Sequence, residues 1–109
     1  MAHRFSADEA LVAARAAADS VYAVLLARGT LEIGYYAPVG SDTQTPHTQD
    51  EVYVIRSGHG FFRVDGESRP CSAGDLLFVP ARVPHDFHDF SDGFAAWVIF
   101  YGPAGGERS

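Results

Sequence analysis

Hydrophobic residues are distributed in two different ways along this chain. In residues 6–18, SADEALVAARAAA, alanine dominates, and Leu11 and Val12 are the only large apolar side chains. Alanine has the highest helix propensity. Ser6 is a candidate N-cap, with Glu9 three residues on at capping-box spacing. The pattern predicts a short helix whose weak apolar face lies on the surface of something else. After Asp19 the character changes to aromatic and β-branched runs punctuated by Gly, Pro, Asp and Ser. Segments 21–27, 30–37, 51–56, 60–64, 75–79, 84–90 and 94–101 read as strands. Turn signals separate them: Arg28-Gly29, Ser57-Gly58-His59-Gly60, Asp65-Gly66, Ala73-Gly74-Asp75 and Asp92-Gly93. Asp65-Gly66 is the strongest hairpin signal. Many short strands at this spacing, with no second helical run, predict an all-β sandwich or barrel rather than alternating βαβ units. The expected division is a helical extension over 1–19, a β-barrel over 20–103 and a loose tail over 104–109.

Two strands are apolar on both faces. In 94–101, Ala96, Val98 and Phe100 alternate with Trp97, Ile99 and Tyr101, and 51–55 behaves in the same way. Strand side chains alternate between faces. One face should therefore meet the core, and the other a helix or a second subunit. Trp97 could face either a pocket or a partner.

Composition narrows the function classes. The chain has 109 residues, 47% of them hydrophobic, and a net charge of −6 with His neutral. Its eight Lys and Arg residues are scattered, so no basic patch exists to bind a nucleic-acid backbone. Cys71 is the single cysteine. It can form no internal disulfide, is compatible with a reducing cytoplasm, and reads as a small buried hydrophobe. No apolar run reaches the ~20 residues needed to span a bilayer. Arg4, Asp8, Glu9, Arg15 and Asp19 interrupt any secretory apolar region. A cytoplasmic protein is the expectation.

The stretch TPHTQDEVYVIRSGHG, residues 45–60, concentrates the candidate chemistry. On one straight strand His47 and Glu51 would stand about 13 Å apart, at ~3.3 Å per residue. A turn at Thr48-Gln49-Asp50 would let them converge. An imidazole nitrogen and a carboxylate oxygen are common ligands of divalent metals. A third ligand is offered by GDLLFVPARVPHDFHDF, residues 74–90, where His85 follows Pro84. His88 should point to the opposite face from His85, and Asp50 outward. His59 reads as an exposed turn residue, and Asp42 and Asp89 as turn or strand-end residues. Tyr53 and Phe87 share parity with Glu51 and His85 and should line the interior.

These two stretches resemble the paired motifs of the cupins, small double-stranded β-helix or jelly-roll barrels. The second motif is Gly, five residues, Pro, one residue, Gly, two residues, His, three residues, Asn. Here it reads Gly74, Pro80, Arg82, His85 and Asp89 at that spacing, with Arg82 in place of Gly and Asp89 in place of Asn. In the first motif, Glu51 and Gly58 fit and His47 takes the second histidine's place. Thr45 stands where the first would be, and Gly40 is one residue out of register. The resemblance covers roughly residues 30–101. It implies a divalent metal (Fe, Mn, Ni or Zn) held by His47, Glu51 and His85, with Gln44 as a candidate fourth ligand and Tyr53 and Phe87 as pocket walls. Two histidines and a carboxylate leave open positions for water, substrate or oxygen. The implied function is dioxygenase-like or isomerase-like chemistry on a small organic molecule. The rival reading is a non-enzymatic small-molecule binding module, its metal structural or absent. The resemblance also implies a homodimer.

Overall fold

The computed structural model describes residues 3–17, 20–42 and 44–108. Helix α1 (Ala7–Ala16) begins at Ser6, whose side chain accepts from the Glu9 backbone N–H at 3.2 Å and donates to the Glu9 carboxylate at 3.0 Å. This is the expected capping box. The expected end of the helix at residue 18 lies outside the described residues. Eight strands follow: β1 (Tyr22–Arg28), β2 (Leu31–Tyr36), β3 (Asp50–Ser57), β4 (His59–Val64), β5 (Glu67–Ser72), β6 (Leu76–Val79), β7 (His85–His88) and β8 (Ala95–Tyr101).

They form two antiparallel sheets, ordered β1-β2-β8-β3-β6 and β5-β4-β7. The inner faces meet in a core of Tyr53, Ile55, Val79, Val98 and Phe100 from the larger sheet and Phe62, Cys71 and Phe87 from the smaller. Each of these occupies the inward parity of its strand, so burial follows the period of two. Burial also pushes the Cys71 thiol above its ordinary range, as expected of an inert core cysteine. On the outer face, α1 lays Ala10 and Ala14 over Tyr35, Ala37 and Ala95. Trp97 packs edge-on to Tyr35 there, with ring centroids 4.9 Å apart, and is therefore turned away from the barrel interior.

Strand β5 was not expected. Its residues, ESRPCS, are polar and include Pro70, which cannot donate a ladder hydrogen bond. An edge position removes that objection, and β5 is the edge of the smaller sheet. The turn before it is the expected hairpin: Asp65 and Gly66 adopt φ of 51° and 87°, the two left-handed positions of a type I′ turn.

Two backbone N–H groups of the expected tail are hydrogen-bonded to the barrel. Gly105 donates its N–H to the Thr48 carbonyl at 2.7 Å, and Glu107 donates its own to the Asp50 carboxylate at 2.9 Å. Asp50 is correspondingly buried rather than outward-facing, because its second oxygen accepts from the Ala81 N–H at 2.9 Å. One carboxylate thus ties together the start of β3, the loop after β6 and the chain's last residues. A sequence reading that treats Asp50 as a solvated acid cannot foresee partners 31 and 57 residues away.

Candidate metal centre

The β3–β8 pairing aims Glu51 inward, and β7 brings His85 to the same depth from the other sheet. Both side chains are almost fully buried, and Nε2 of His85 lies 3.1 Å from Oε1 of Glu51. Nδ1 of His85 is 2.9 Å from the Val83 carbonyl oxygen. A carbonyl can only accept, so Nδ1 carries a proton and the neutral ring presents the Nε2 lone pair both to Glu51 and to the Tyr53 hydroxyl, 3.2 Å away. Oε1 of Glu51 has no hydrogen-bond partner among the described residues. Two lone-pair donors therefore confront each other in a buried site. Either a proton on the imidazole or a cation between them relieves the conflict. Burial pulls the His85 pKa down, but contact with Glu51, the Val83 carbonyl and the negative charges of Glu51 and Asp42 outweigh it and hold it above 6.5.

Glu51 borders a cavity of about 350 Å³ at one end of the barrel. His47 lines the same cavity but does not join the pair: its ring stacks on Phe100, with centroids 3.8 Å apart, and the residue is exposed. Its backbone carbonyl accepts from the Arg82 N–H at 2.6 Å. Among the described residues, no group of three His, Cys, Asp or Glu side chains is placed to hold a metal ion. The expected trio is present as a buried pair with the third member parked on an aromatic ring. Gln44, the candidate fourth ligand, accepts from the Tyr53 hydroxyl at 2.9 Å through Oε1. Tyr53 lines the cavity. Phe87 stands behind it in the core, 5.0 Å from the Tyr53 ring centroid, and takes no part in the lining.

The other histidines are placed as their parity dictates. His88 faces outward from β7. It contacts Ser68 Oγ through Nε2 at 2.8 Å and Asp89 through Nδ1 at 2.9 Å, and it stacks on Phe61. His59 opens β4 and is exposed, its N–H held by Ser91 Oγ at 3.0 Å.

Three cavity residues were not foreseen. Tyr22 and Tyr36 line it, and Asp42 organises it from behind. Asp42 accepts from the Tyr36 hydroxyl, from both the backbone and side-chain N–H groups of Gln44, and from the Phe87 backbone N–H, all within 2.5–3.0 Å. Strand β7 is an edge strand, so the Phe87 N–H would otherwise lack a partner. Tyr22 donates to Glu32 at 2.8 Å. Burial, followed by Glu32, Asp42 and Glu51 respectively, pushes Tyr22, Tyr36 and Tyr53 above the ordinary tyrosine range. All three phenols stay protonated with their protons given away, so their oxygens are left as acceptors. Among the described residues the lining contains no Lys or Arg. The cavity is acceptor-rich and favours cations and hydrogen-bond donors.

Gly34 was the one sequence signal for Tyr22. A glycine inside a strand marks close approach, and a Cβ at Gly34 would overlap the Tyr22 ring. Gly34→Ala should expel that ring, break its bond to Glu32 and cost about 1–3 kcal/mol in denaturant unfolding. In a Tyr22→Ala background the same change should cost almost nothing. An equal cost in both backgrounds would show that the ring is not what the glycine accommodates.

A cupin domain profile matches residues 33–101. The chain belongs to the cupin family. That span agrees with the motif-bearing region, and the two-sheet barrel is the corresponding fold. Solved cupins resemble it closely: a Cupin 2 conserved barrel protein from Salinispora arenicola has a TM-score of 0.67 at 21% identity, covering 94% of this chain and 89% of that one. An uncharacterized protein of Streptomyces coelicolor is 40% identical over 101 residues, 91% of this cupin and 95% of its relative. An acireductone dioxygenase of Pectobacterium atrosepticum is 45% identical over 65 residues, 54% of this chain but 37% of that enzyme. A putative mannose-6-phosphate isomerase of Ralstonia eutropha shares the fold with a TM-score of 0.63 at 25% identity, covering 79% of this chain and 87% of that one. No helix among the described residues is long and apolar enough to cross a membrane.

Proposed function

We propose that this cupin binds a divalent metal through Glu51 and His85, completed by His47, and acts on a small unphosphorylated organic molecule in the adjoining cavity. The observation that carries this is the partnerless Glu51 oxygen, buried 3.1 Å from the His85 nitrogen. A carboxylate and an imidazole without a shared proton cost stability unless a cation joins them. Iron, manganese, nickel and zinc all accept such ligands. When bound, the ion would supply Lewis acidity and open coordination positions.

The residues around it have separate tasks. The Val83 carbonyl fixes the tautomer of His85, the usual role of a partner behind a ligating imidazole. Tyr53 orients Gln44, whose amide oxygen is the candidate fourth donor. Leaving Phe100 would free His47 to turn inward. Phenol oxygens on the cavity wall would accept from hydroxyl or amine groups of a substrate. Among the described residues the lining holds no Lys or Arg to pair with a phosphoryl group. This tilts the reading away from sugar-phosphate isomerisation and toward dioxygenase-like chemistry, in line with the local resemblance to acireductone dioxygenase.

The stacking of His47 on Phe100 favours a second reading: a metal-free binding module in which a proton on His85 answers Glu51. Metal titration separates the two. Wild type should take up one equivalent of Fe(II), Mn(II), Ni(II) or Zn(II). His85→Ala and His47→Ala should each bind it roughly 100-fold more weakly or worse. Affinity should also fall as pH drops through the raised His85 value, where its imidazole protonates. Equal, negligible loading of all three proteins would leave the binding module standing and remove the metal.

A further inference from the structure

Alternate positions of β2 read Glu32, Gly34 and Tyr36, paired with Phe100, Val98 and Ala96 of the core. This inward row is an acid, a gap and a phenol. The gap is filled from β1: the Tyr22 ring lies where a Cβ of Gly34 would be. From there its hydroxyl donates to Glu32 at 2.8 Å, and the Tyr36 hydroxyl donates to Asp42 in the same way. Both phenols line the cavity with their protons committed to carboxylates, so their oxygens offer it lone pairs only. Donating to an anion also makes a hydroxyl oxygen a stronger acceptor. The Tyr22 ring stands at 75° to Phe100, with centroids 6.4 Å apart, and the two form a corner of the cavity. Val21, the residue before Tyr22, holds a φ of 47°. A β-branched side chain adopts that conformation only under constraint, and such strain collects at ligand sites.

We infer that the ligand of this cavity is a small organic amine, bound as its ammonium ion between the phenol oxygens of Tyr22 and Tyr36 and against the ring corner of Tyr22 and Phe100. The inference rests on the reading of the cavity as a ligand site, but not on the metal. Charge selects the ligand class. Glu32 and Asp42 stand behind the two phenols, and Glu51 borders the cavity directly. Among the described residues no Lys or Arg pairs with any of these three acids. Uncompensated carboxylates attract a cation and repel an anion. A neutral polyol would satisfy the phenol oxygens but gain nothing from the charges behind them. An ammonium ion uses both: its N–H groups have only acceptors to meet, and its charge lies against aromatic rings, as in other amine sites. Glu32 and Asp42 make no contact with Glu51 or His85 and serve the phenols instead. A metal held by Glu51 and His85 would leave them free to attract the amine, so ion and amine occupy separate ends of one cavity.

Three probes that share a carbon chain and differ in charge test this: n-butylammonium, n-butanol and n-butanoate, titrated into chelator-treated full-length protein by NMR chemical shift near pH 7. Wild type should bind the ammonium about 10-fold or more tighter than the alcohol, with no binding of the carboxylate. That comparison needs no variant. Glu32→Gln should weaken the ammonium about 10-fold while leaving the alcohol unchanged, a split that a merely structural loss would not give. Tyr22→Phe keeps the ring, removes the acceptor and should fall between. Equal binding of ammonium and alcohol by wild type overturns the inference, as does an affinity for the ammonium that Glu32→Gln leaves intact. Loss of the ammonium in Glu51→Gln together with full retention in Glu32→Gln would put the amine on the metal pair and overturn it as well. Metal uptake is read in a separate titration and should be the same in Glu32→Gln as in wild type, so failure of the amine site and failure of the metal site are told apart.

Discussion

Glu51→Gln should make the metal-free protein more stable while abolishing metal uptake. Above the raised His85 value the wild-type pair consists of a carboxylate with a partnerless oxygen and an imidazole whose lone pair faces it. Glutamine keeps the shape, removes the charge and can donate an N–H to Nε2 of His85. An unsatisfied buried group costs about 1–3 kcal/mol, so unfolding in urea with a chelator present should show a gain of that order. The pH dependence gives the sign. The folded-state pKa of His85 is raised, so the fold binds its proton more tightly than the unfolded chain does. That contribution to stability is complete below about 6.5 and is lost as pH climbs through the raised value. Wild type should therefore lose stability relative to Glu51→Gln as pH climbs above about 6.5 through that raised value, and the gap should narrow as pH falls again and His85 charges. Should Glu51→Gln prove less stable than wild type at about pH 8 without metal, the conflict of lone pairs is not there.

Asp42→Ala should be the most damaging single change outside the apolar core. Its two oxygens satisfy the Tyr36 hydroxyl, two donors of Gln44 and the edge N–H of Phe87. These donors come from β2, the loop before β3, and β7, so one side chain joins the larger sheet to the smaller at the cavity. Hydrogen bonds to charged groups contribute about 1.5–3 kcal/mol each, and several donors would lose their partner at once. A loss on the order of 3 kcal/mol, or a fall in Tm of roughly 12 °C or more, is expected. Asp42→Asn keeps one acceptor oxygen and should fall between. Metal affinity should weaken in parallel, because Gln44 and Tyr36 lose their anchor. If Asp42→Ala melts within about a degree of wild type, the carboxylate is an ordinary surface group.

How much of this was legible in the chain depends on the range over which each interaction acts. Helix, hairpin and strands follow from local rules. Ser6 and Glu9 cap a turn within four residues, Asp65-Gly66 sets two left-handed dihedrals, and period-two alternation assigns the inner and outer faces of β3 and β8. Motif spacing was enough to bring Glu51 and His85 to one point, because both sit at fixed positions on regular strands. It could not place His47, which lies in a loop where stacking on Phe100, 53 residues away, decides the ring's direction. Nor could it find Asp42 or Asp50, whose partners include backbone N–H groups exposed only by strand edges and loop ends. Strand β5 escaped because Pro70 argues against any strand except at an edge, and edges are a property of the assembled sheet. The sequence by itself determined the barrel, the inward pair and the two apolar faces, all consequences of contacts between near neighbours and of side-chain parity. Only the tertiary structure decided which carboxylates are buried and which histidine stands aside, because those outcomes rest on groups that meet only after the sheets have closed.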